Sequence, residues 1–207
     1  MSVSPPKQPK GMSVSPIQTY QRYLPHWRQE GAVYWVTFRL ADSLPQTAAS
    51  ELRAEKDDWL RDHPEPWDSS MRLAYHVRFS ERINQWLDAG YGCCALSRPE
   101  IRAIVRQSLL RFDGERLKIH RGVIMPNHVH ALLELLSPTP LSTVLKGIKG
   151  ASARLANQCL HQGGTFWMEE SYDHIVRSEA EYCQLYNYIQ ENPSKAGLCS
   201  DHYCFLG

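Results

Sequence analysis

Apolar and polar positions follow two different periods along the chain, and these periods separate predicted strands from predicted helices. Residues 31–40 are rich in β-branched and aromatic side chains, which predicts a strand that is apolar on both faces. Two further apolar runs, 116–125 and 128–136, are separated by Pro126-Asn127 and predict two strands with a tight connection. Residues 172–177 predict one more short strand.

Helical spacing of apolar residues fills the stretches between these strands. Residues 46–61 predict a charged amphipathic helix, and residues 70–88 predict a second one that is closed by Gly90 and Gly92. A capping box at residues 97–100 begins a third helix that runs to about Phe112. The segment His63-Pro-Glu-Pro66 breaks the first of these two helices, and together they are expected to form a helical insert around residues 46–90.

Two more helices are predicted in the second half of the chain. An apolar stripe at helical spacing follows Pro140, and it consists of Leu141, Val144, Leu145, Ile148 and Leu155. Ser178 begins a capping box and a last helix. We expect this helix to stop near Asn192, because Pro193 disfavours helical geometry in the residue before it.

The order of elements predicts one α+β domain over residues 20–207. Residues 1–19 are rich in Pro, Ser and Lys and are expected to be a disordered lead-in. No run approaches the roughly 18 apolar residues of a membrane span, and the N-terminus lacks the apolar core of a signal peptide. We therefore expect a cytoplasmic protein with no membrane partner.

Charge is balanced in total and segregated along the chain. Lys and Arg number 23 against 22 Asp and Glu, so the net charge is +1. Residues 42–68 hold eight acids against three bases, whereas residues 135–168 hold Lys146, Lys149 and Arg154 and no acid. Ordinary solvated helix faces explain such a distribution. The run 135–168, which has no acidic residue, leaves nucleic acid as a candidate partner.

The six cysteines indicate neither a zinc ribbon nor a disulfide scaffold. None of them forms a Cys-x-x-Cys pair, and we expect no secretory signal. We expect most of them to be plain buried thiols.

His128-Val129-His130 is the first candidate for chemistry. Residues i and i+2 of a strand point to the same face, so two imidazoles would converge on one point, as a divalent metal requires. A chain with nine histidines also contains such a pair by chance, and a third ligand must come from elsewhere.

Tyr188 and Asn192 are the second candidate. They are four residues apart on the last predicted helix, so their side chains share one face. Tyrosine acts as a covalent nucleophile when a metal or a positive field activates it, and an asparagine carbonyl oxygen suits a hard cation. Amphipathic packing by the tyrosine and a helix stop at Asn192-Pro193 explain the same residues without chemistry.

Four segments in the same order resemble a known family. Met125-Pro-Asn-His-Val-His-Ala131 resembles the HUH motif of single-tyrosine transposases, in which two histidines flank a hydrophobic residue. Residues 188–197 look like the nucleophile helix of these proteins, and residues 25–45 and 172–177 also match their pattern. Together they resemble the REP-associated tyrosine transposases over roughly residues 22–198. The acidic stretch 57–88 departs from the pattern.

The resemblance implies a fold and a site. It implies a ferredoxin-like antiparallel sheet with the HUH motif on a central strand, with helices packed on one face and the tyrosine helix against the sheet. It also implies that His128, His130 and Asn192 hold Mg²⁺ or Mn²⁺ and that Tyr188 attacks the scissile phosphate. The product would be a 5′-phosphotyrosine and a free 3′-hydroxyl.

Single-stranded DNA with hairpins is the partner that the resemblance implies. Five basic residues are candidates for contacts to this DNA: Arg22, Arg28, Lys146, Lys149 and Arg154. His174 either orients a substrate phosphate or is a core histidine with its own hydrogen-bond partner. Relatives include monomers and dimers that exchange the tyrosine helix, so a homodimer is one expected form, in the cytoplasm and associated with the nucleoid.

The sequence therefore predicts a metal-dependent DNA endonuclease and strand transferase of the transposase type. Two other interpretations stay open. One is a catalytically idle protein that binds hairpin DNA, against which the intact pair of histidines and Tyr188 argue. The other is a small-molecule metalloenzyme that uses the same His-x-His strand, against which the large helical share argues.

Overall fold

A computed structural model describes residues 18–21, 25–28, 31–64, 66–75, 78–79 and 81–207. A small hairpin comes first, and five strands then form the main sheet. The strands are β1 (Gln18–Gln21), β2 (Pro25–Arg28), β3 (Val33–Arg39), β4 (Leu117–Ile124), β5 (His128–Leu135), β6 (Tyr172–Ile175) and β7 (Cys204–Leu206). The helices are α1 (Gln46–Asp62), α2 (Ser69–Tyr75), α3 (Glu81–Asp88), α4 (Pro99–Leu110), α5 (Leu141–Cys159) and α6 (Glu179–Lys195).

The strand order of the main sheet is β6-β3-β5-β4-β7, and all neighbours are antiparallel. The chain path β3-α4-β4-β5-α5-β6, with β5 between β3 and β4, is the ferredoxin-like connectivity. The predicted α+β class and antiparallel sheet are therefore confirmed. Strand β7 was not predicted, because three residues are too few to show an alternating pattern.

Both faces of this sheet are covered by helices. Helices α4 and α5 pack on the face that carries Tyr34, Val36 and Phe38, and α6 packs on the face that carries Trp35 and Leu132. The expectation that helices pack on one face is thus wrong. Every residue of β5 is buried, so each face of the central strand needs its own cover.

Helices α1, α2 and α3 lie between β3 and α4 in the chain and have a hydrophobic cluster of their own. The cluster consists of Leu52, Trp59, Trp67, Tyr75 and Phe79. The single helix predicted for residues 70–88 is two helices, because α2 ends at Tyr75 and α3 begins at Glu81. After α3, the backbone at Gly92 approaches the backbone of Asp42. A Cβ at this position would be 2.5 Å from the Asp42 carbonyl oxygen, so only glycine fits without a shift.

Several sequence-based expectations concern the ends of the chain and the cysteines. Residues 1–17 of the expected disordered lead-in lie outside the described residues, whereas Gln18 and Thr19 belong to β1. The six cysteines are free thiols, and they are exposed or half-buried, so the expectation that most are buried is wrong. In the part of the chain that the structure describes, no helix is both long and apolar enough to cross a membrane.

Candidate functional site

Two histidines of the central strand lie side by side between the sheet and α6. His128 and His130 are two residues apart on β5, so their side chains leave the strand on the same face. Both are fully buried, and their ring centroids are 4.5 Å apart. The structure thus brings the two imidazoles together in the middle of the sheet.

One nitrogen of each imidazole is held by a neighbouring polar side chain. His128 Nδ1 lies 2.7 Å from Asn127 Oδ1, and His130 Nδ1 lies 2.7 Å from Thr37 Oγ1 on β3. Because the Asn127 amide nitrogen donates to the Tyr91 carbonyl oxygen, Asn127 Oδ1 is the acceptor and the Nδ1–H group of His128 donates to it. The Nε2 atoms of both histidines are buried and have no hydrogen-bond partner.

Burial keeps these imidazoles neutral. It lowers the pKa of His128 to about 3, and it lowers the pKa of His130 well below its usual value, with a further contribution from His128. A neutral imidazole with its proton on Nδ1 presents a lone pair on Nε2, which is the form that binds a metal.

Tyr188 approaches the histidines from α6. Its ring centroid is 5.4 Å from that of His130 and 5.6 Å from that of Trp35, and both contacts are edge-to-face. The ammonium of Lys195 lies 5.9 Å from the centre of the Tyr188 ring. The sheet and the last helix therefore place the predicted nucleophile beside the predicted metal ligands.

Asn192 lies one turn further along the same helix and is fully buried. Its Oδ1 atom has no hydrogen-bond partner. The prediction that α6 stops near Asn192 is wrong, since α6 continues through Pro193 to Lys195. Proline removes a single N–H donor, and the last turn closes with the Ala196 amide donating to the Asn192 carbonyl. The i, i+4 relation of Tyr188 and Asn192 is therefore kept.

Asp88, the last residue of α3, is a site residue that sequence reasoning missed. Its Oδ1 accepts a hydrogen bond of 3.3 Å from Asn192 Nδ2 and lies 3.9 Å from His128 Nε2. Burial raises the pKa of the Asp88 carboxyl to about 6, although the hydrogen bond from Asn192 and the charge of Lys195 lower it. No spacing rule connects this residue to the histidines, because it stands in an acidic stretch like many of its neighbours.

The buried side chains of the site offer both nitrogen and oxygen atoms as metal ligands. Within the described ranges, no group of three His, Cys, Asp or Glu side chains is close enough to hold a metal ion, so the set depends on the amide of Asn192. Two neutral imidazole nitrogens and one amide oxygen, all buried and all without hydrogen-bond partners, suit a divalent cation that takes nitrogen and oxygen ligands. The residues present therefore fit the metal that the resemblance implies.

Arg39 is a second residue of this face that the sequence did not indicate. It pairs with His128 across the strands, and alternation along β3 places it on the same face as Thr37. It is half-buried, and its guanidinium donates to Ser43 Oγ. Burial lowers the pKa of the Arg39 guanidinium, and the charge of Glu170 raises it.

The predicted DNA-binding residues are not gathered at the site. Arg22 and the side chain of Arg28 lie outside the described residues. Lys146 and Arg154 are exposed on α5, a helix of the opposite layer. The Lys149 ammonium donates to the carbonyl oxygens of Met168 and Glu169 and to Ser171 Oγ, and burial lowers its pKa to about 8. Lys149 thus attaches α5 to the segment before β6.

His174 lies on β6 and contacts α6. Its Nε2 atom lies 3.0 Å from Glu181 Oε1, and its ring is half-buried beside Tyr172. This pairing with Glu181 agrees with the interpretation of a histidine that has its own partner.

The site therefore combines two histidines on the central strand of an antiparallel sheet with a tyrosine on the helix that covers them. Residues 97–192 match the family model of IS200-like transposases. The matched stretch contains His128, His130, Tyr188 and Asn192. The expected resemblance to single-tyrosine transposases is thereby confirmed for this stretch.

One curated protein and two solved structures are also similar to this chain. An uncharacterized protein of Haemophilus influenzae is 30% identical over 38% of this chain and 55% of its own length, so the match spans about half of that relative. A solved REP-associated tyrosine transposase bound to a REP hairpin aligns with 87% of this chain and 74% of its own, at 17% identity and a TM-score of 0.40. A Deinococcus radiodurans R1 protein assigned as a transposase aligns with 77% of this chain and 89% of its own, at 18% identity and a TM-score of 0.32.

Proposed function

We propose that this protein is a metal-dependent endonuclease and strand transferase that cuts single-stranded DNA near hairpins. The observation that carries this proposal is the meeting of Tyr188 with the two imidazoles of the central strand, at ring distances of 5.4 Å from His130 and 4.5 Å between the histidines. The IS200-like match over residues 97–192 supports it.

The chemistry follows from the nucleophile. The Tyr188 oxygen forms a bond to phosphorus as the bond between phosphorus and the 3′ oxygen breaks. The phenol loses its proton and the departing 3′ oxygen takes one up, so protons balance. A 5′-phosphotyrosine keeps the energy of the phosphodiester, and the reverse attack by a 3′-hydroxyl rejoins a strand without ATP.

The surrounding residues orient and neutralise the reacting groups. His128, His130 and Asn192 would hold Mg²⁺ or Mn²⁺, which supplies electrostatic stabilisation of the phosphate and the departing oxygen when bound. Trp35 and His130 fix the ring of Tyr188 through edge-to-face contacts. Lys195, whose ammonium lies 5.9 Å from the centre of the Tyr188 ring, would add positive charge that favours the phenolate.

DNA is the proposed partner, and the hairpin is the proposed substrate feature. Exposed Lys146 and Arg154 are proposed to contact phosphates away from the reacting centre. A homodimer that exchanges α6 stays a prediction.

A cleavage assay on end-labelled single-stranded DNA with short hairpins tests the proposal. The native chain is compared with Tyr188→Phe in Mn²⁺, in Mg²⁺ and in EDTA. We expect cleavage in either metal, none in EDTA, and protein attached to the 5′ phosphate. Tyr188→Phe should abolish both cleavage and the adduct, because it lacks the attacking oxygen.

Tyr186→Phe is the matched control, since Tyr186 is a half-buried tyrosine of the same helix that packs on Tyr182 instead. It should cut as the native chain does. Hairpin binding without cleavage in any metal would replace the proposal with that of an idle DNA-binding protein. Cleavage by Tyr188→Phe at the native rate would refute the assigned nucleophile.

A further inference from the structure

Tyr91 is an exposed aromatic residue beside the candidate site. Its side chain is 45% exposed, the largest exposure among the large apolar residues that the structure describes. A single exposed apolar side chain is ordinary in a protein. The place of Tyr91 is what distinguishes it, because its backbone is hydrogen-bonded to the residue that precedes His128.

Two hydrogen bonds connect Tyr91 to His128. The Tyr91 carbonyl oxygen accepts from Asn127 Nδ2 at 3.0 Å, and Asn127 Oδ1 accepts from His128 Nδ1 at 2.7 Å. Three residues earlier, Asp88 Oδ1 lies 3.9 Å from Nε2, the other nitrogen of the same imidazole. The segment from Asp88 to Tyr91 therefore runs beside His128, although it belongs to a distant part of the chain.

The segment that carries Tyr91 is fixed on both sides of this residue. Asn127 holds the Tyr91 carbonyl, and the Cys93 amide donates to Asp42 Oδ2 at 2.7 Å. Between them, Gly92 lies against the backbone of Asp42 at a φ of +89°, which favours glycine. A tyrosine on a fixed backbone offers a large contact area, and little conformational freedom is lost when a flat ligand stacks on it.

The surroundings of Tyr91 suit a flat and neutral ligand. Residues 89–94 contain no charged side chain, and the charged residues next to this segment, Asp42 and Asp88, are acids. Acidic neighbours disfavour a phosphate at this place. A nucleobase carries no charge, and in single-stranded DNA its face is free to stack on an exposed aromatic ring.

We propose that Tyr91 is a stacking site for a nucleobase in the single-stranded part of the DNA, next to the phosphate that is cut. This inference rests on the proposed function, because it assumes that single-stranded DNA reaches the histidines. It assigns a positioning role to a residue outside the stretch 97–192 that matches the IS200-like model. Every base has a face that can stack, so the site tolerates any sequence.

Binding of a fluorescent hairpin oligonucleotide with a single-stranded flank tests this site. It is measured by anisotropy with the full chain in EDTA, so the result depends neither on a metal nor on cleavage. We expect Tyr91→Ala to weaken binding about tenfold, the usual size of the loss of one base–aromatic stack. Tyr91→Phe keeps the ring and should bind as the native chain does.

Leu155→Ala is the matched control, because it removes an exposed apolar side chain of α5, away from the candidate site. It should leave the affinity unchanged. Thermal unfolding shows whether each variant is folded. Tyr91→Ala should keep the native slope of log affinity against log salt, because it removes no charge.

Oligonucleotides that lack a single base locate the stacked position. Removal of one base from the flank should weaken binding to the native chain about tenfold at one or two positions. It should have no effect on Tyr91→Ala at the same positions, because the partner of that base is already absent. Equal losses in both chains, a reduced salt slope or native affinity in Tyr91→Ala would overturn the proposed stacking site.

The two proposals fail in different ways. A native chain that binds the oligonucleotide through Tyr91 but never cuts it refutes the proposed cleavage and leaves the stacking site standing. A native chain that cuts DNA, while Tyr91→Ala binds it equally well, refutes the role of Tyr91 alone. A native chain that binds no hairpin DNA refutes both proposals.

Discussion

At the scale of single residues, the buried polar atoms of the site are held by neighbours that the sequence does not single out. Thr37 is hydrogen-bonded to Nδ1 of His130, and Asn127 is hydrogen-bonded to Nδ1 of His128. The Nε2 atoms of both rings have no hydrogen-bond partner. Such outer partners set the tautomer and the orientation of an imidazole ligand.

Thr37→Val tests this role of an outer partner. Valine keeps the shape of threonine and removes the hydroxyl, so His130 loses the group that fixes Nδ1. We expect the affinity for Mn²⁺ to fall about tenfold, in line with the usual effect of removing an outer-shell partner of a metal ligand. Titration of Mn²⁺ into the native and variant chains measures the change.

Thr143→Val is the control, because Thr143 is exposed on α5 in the opposite layer. It should leave the affinity unchanged. If Thr37→Val binds Mn²⁺ as tightly as the native chain, stacking of His130 on Trp35 is sufficient to orient the ring.

At the scale of elements, the site depends on how α6 is fixed to the sheet. A buried chain of polar groups joins them, since His120 of β4 contacts Tyr182 of α6 at 3.0 Å and Glu134 of β5 at 2.8 Å. This chain lies on the same face as Trp35 and Tyr188. Helix α6 is therefore held by specific hydrogen bonds in addition to apolar packing.

Tyr182→Phe removes the contact between α6 and His120. The buried His120 Nδ1 then loses its partner, and we expect the free energy of unfolding to fall by about 1 to 2 kcal/mol. Urea denaturation measures the loss, and hydrogen exchange should show faster opening of α6 than in the native chain.

Tyr203→Phe serves as the comparison, because Tyr203 is a half-buried tyrosine that packs on the same face. We expect a smaller loss and no change in the exchange of α6. Equal losses in both variants would contradict the role of the His120 contact.

At the scale of the whole molecule, the predicted DNA-contacting residues of α5, Lys146 and Arg154, lie in a different layer from the candidate site. Helix α5 packs with α4 on one face of the sheet, whereas Tyr188 and the histidines lie on the other. DNA that reaches both has to pass around an edge of the sheet. The net charge of +1 also means that local basic residues, and not the total charge, would attract it.

Lys146→Ala tests the proposed phosphate contact on α5. We expect it to weaken binding of hairpin DNA by a similar factor for every sequence and to reduce the slope of log affinity against log salt by about 1. Filter binding or fluorescence anisotropy across a series of salt concentrations measures both quantities.

Lys118→Ala is the matched control, since Lys118 is an exposed lysine on β4. It should keep the native slope. A native slope for Lys146→Ala would show that DNA does not follow α5.

Much of the fold was predictable because each element carries a local signal. Apolar runs rich in β-branched and aromatic residues located β3, β4 and β5, a short segment located β6, and helical stripes located α1, α4 and α5. Errors occurred where the local signal was weak or was overruled. Strand β7 is too short for a pattern, and α6 continues past Pro193, where both Asn192 and Pro193 are buried.

The sequence by itself determined the α+β class, the pair of histidines on one strand face, and the relation of Tyr188 to Asn192. These features depend on periods of two and 3.6 residues, which are local properties of the backbone. Only the tertiary structure decided that α6 lies over β5, that Lys149 is used internally, and that Asp88 reaches His128. Such contacts join residues far apart in the chain, and their positions follow from how complete elements pack, which no local pattern records.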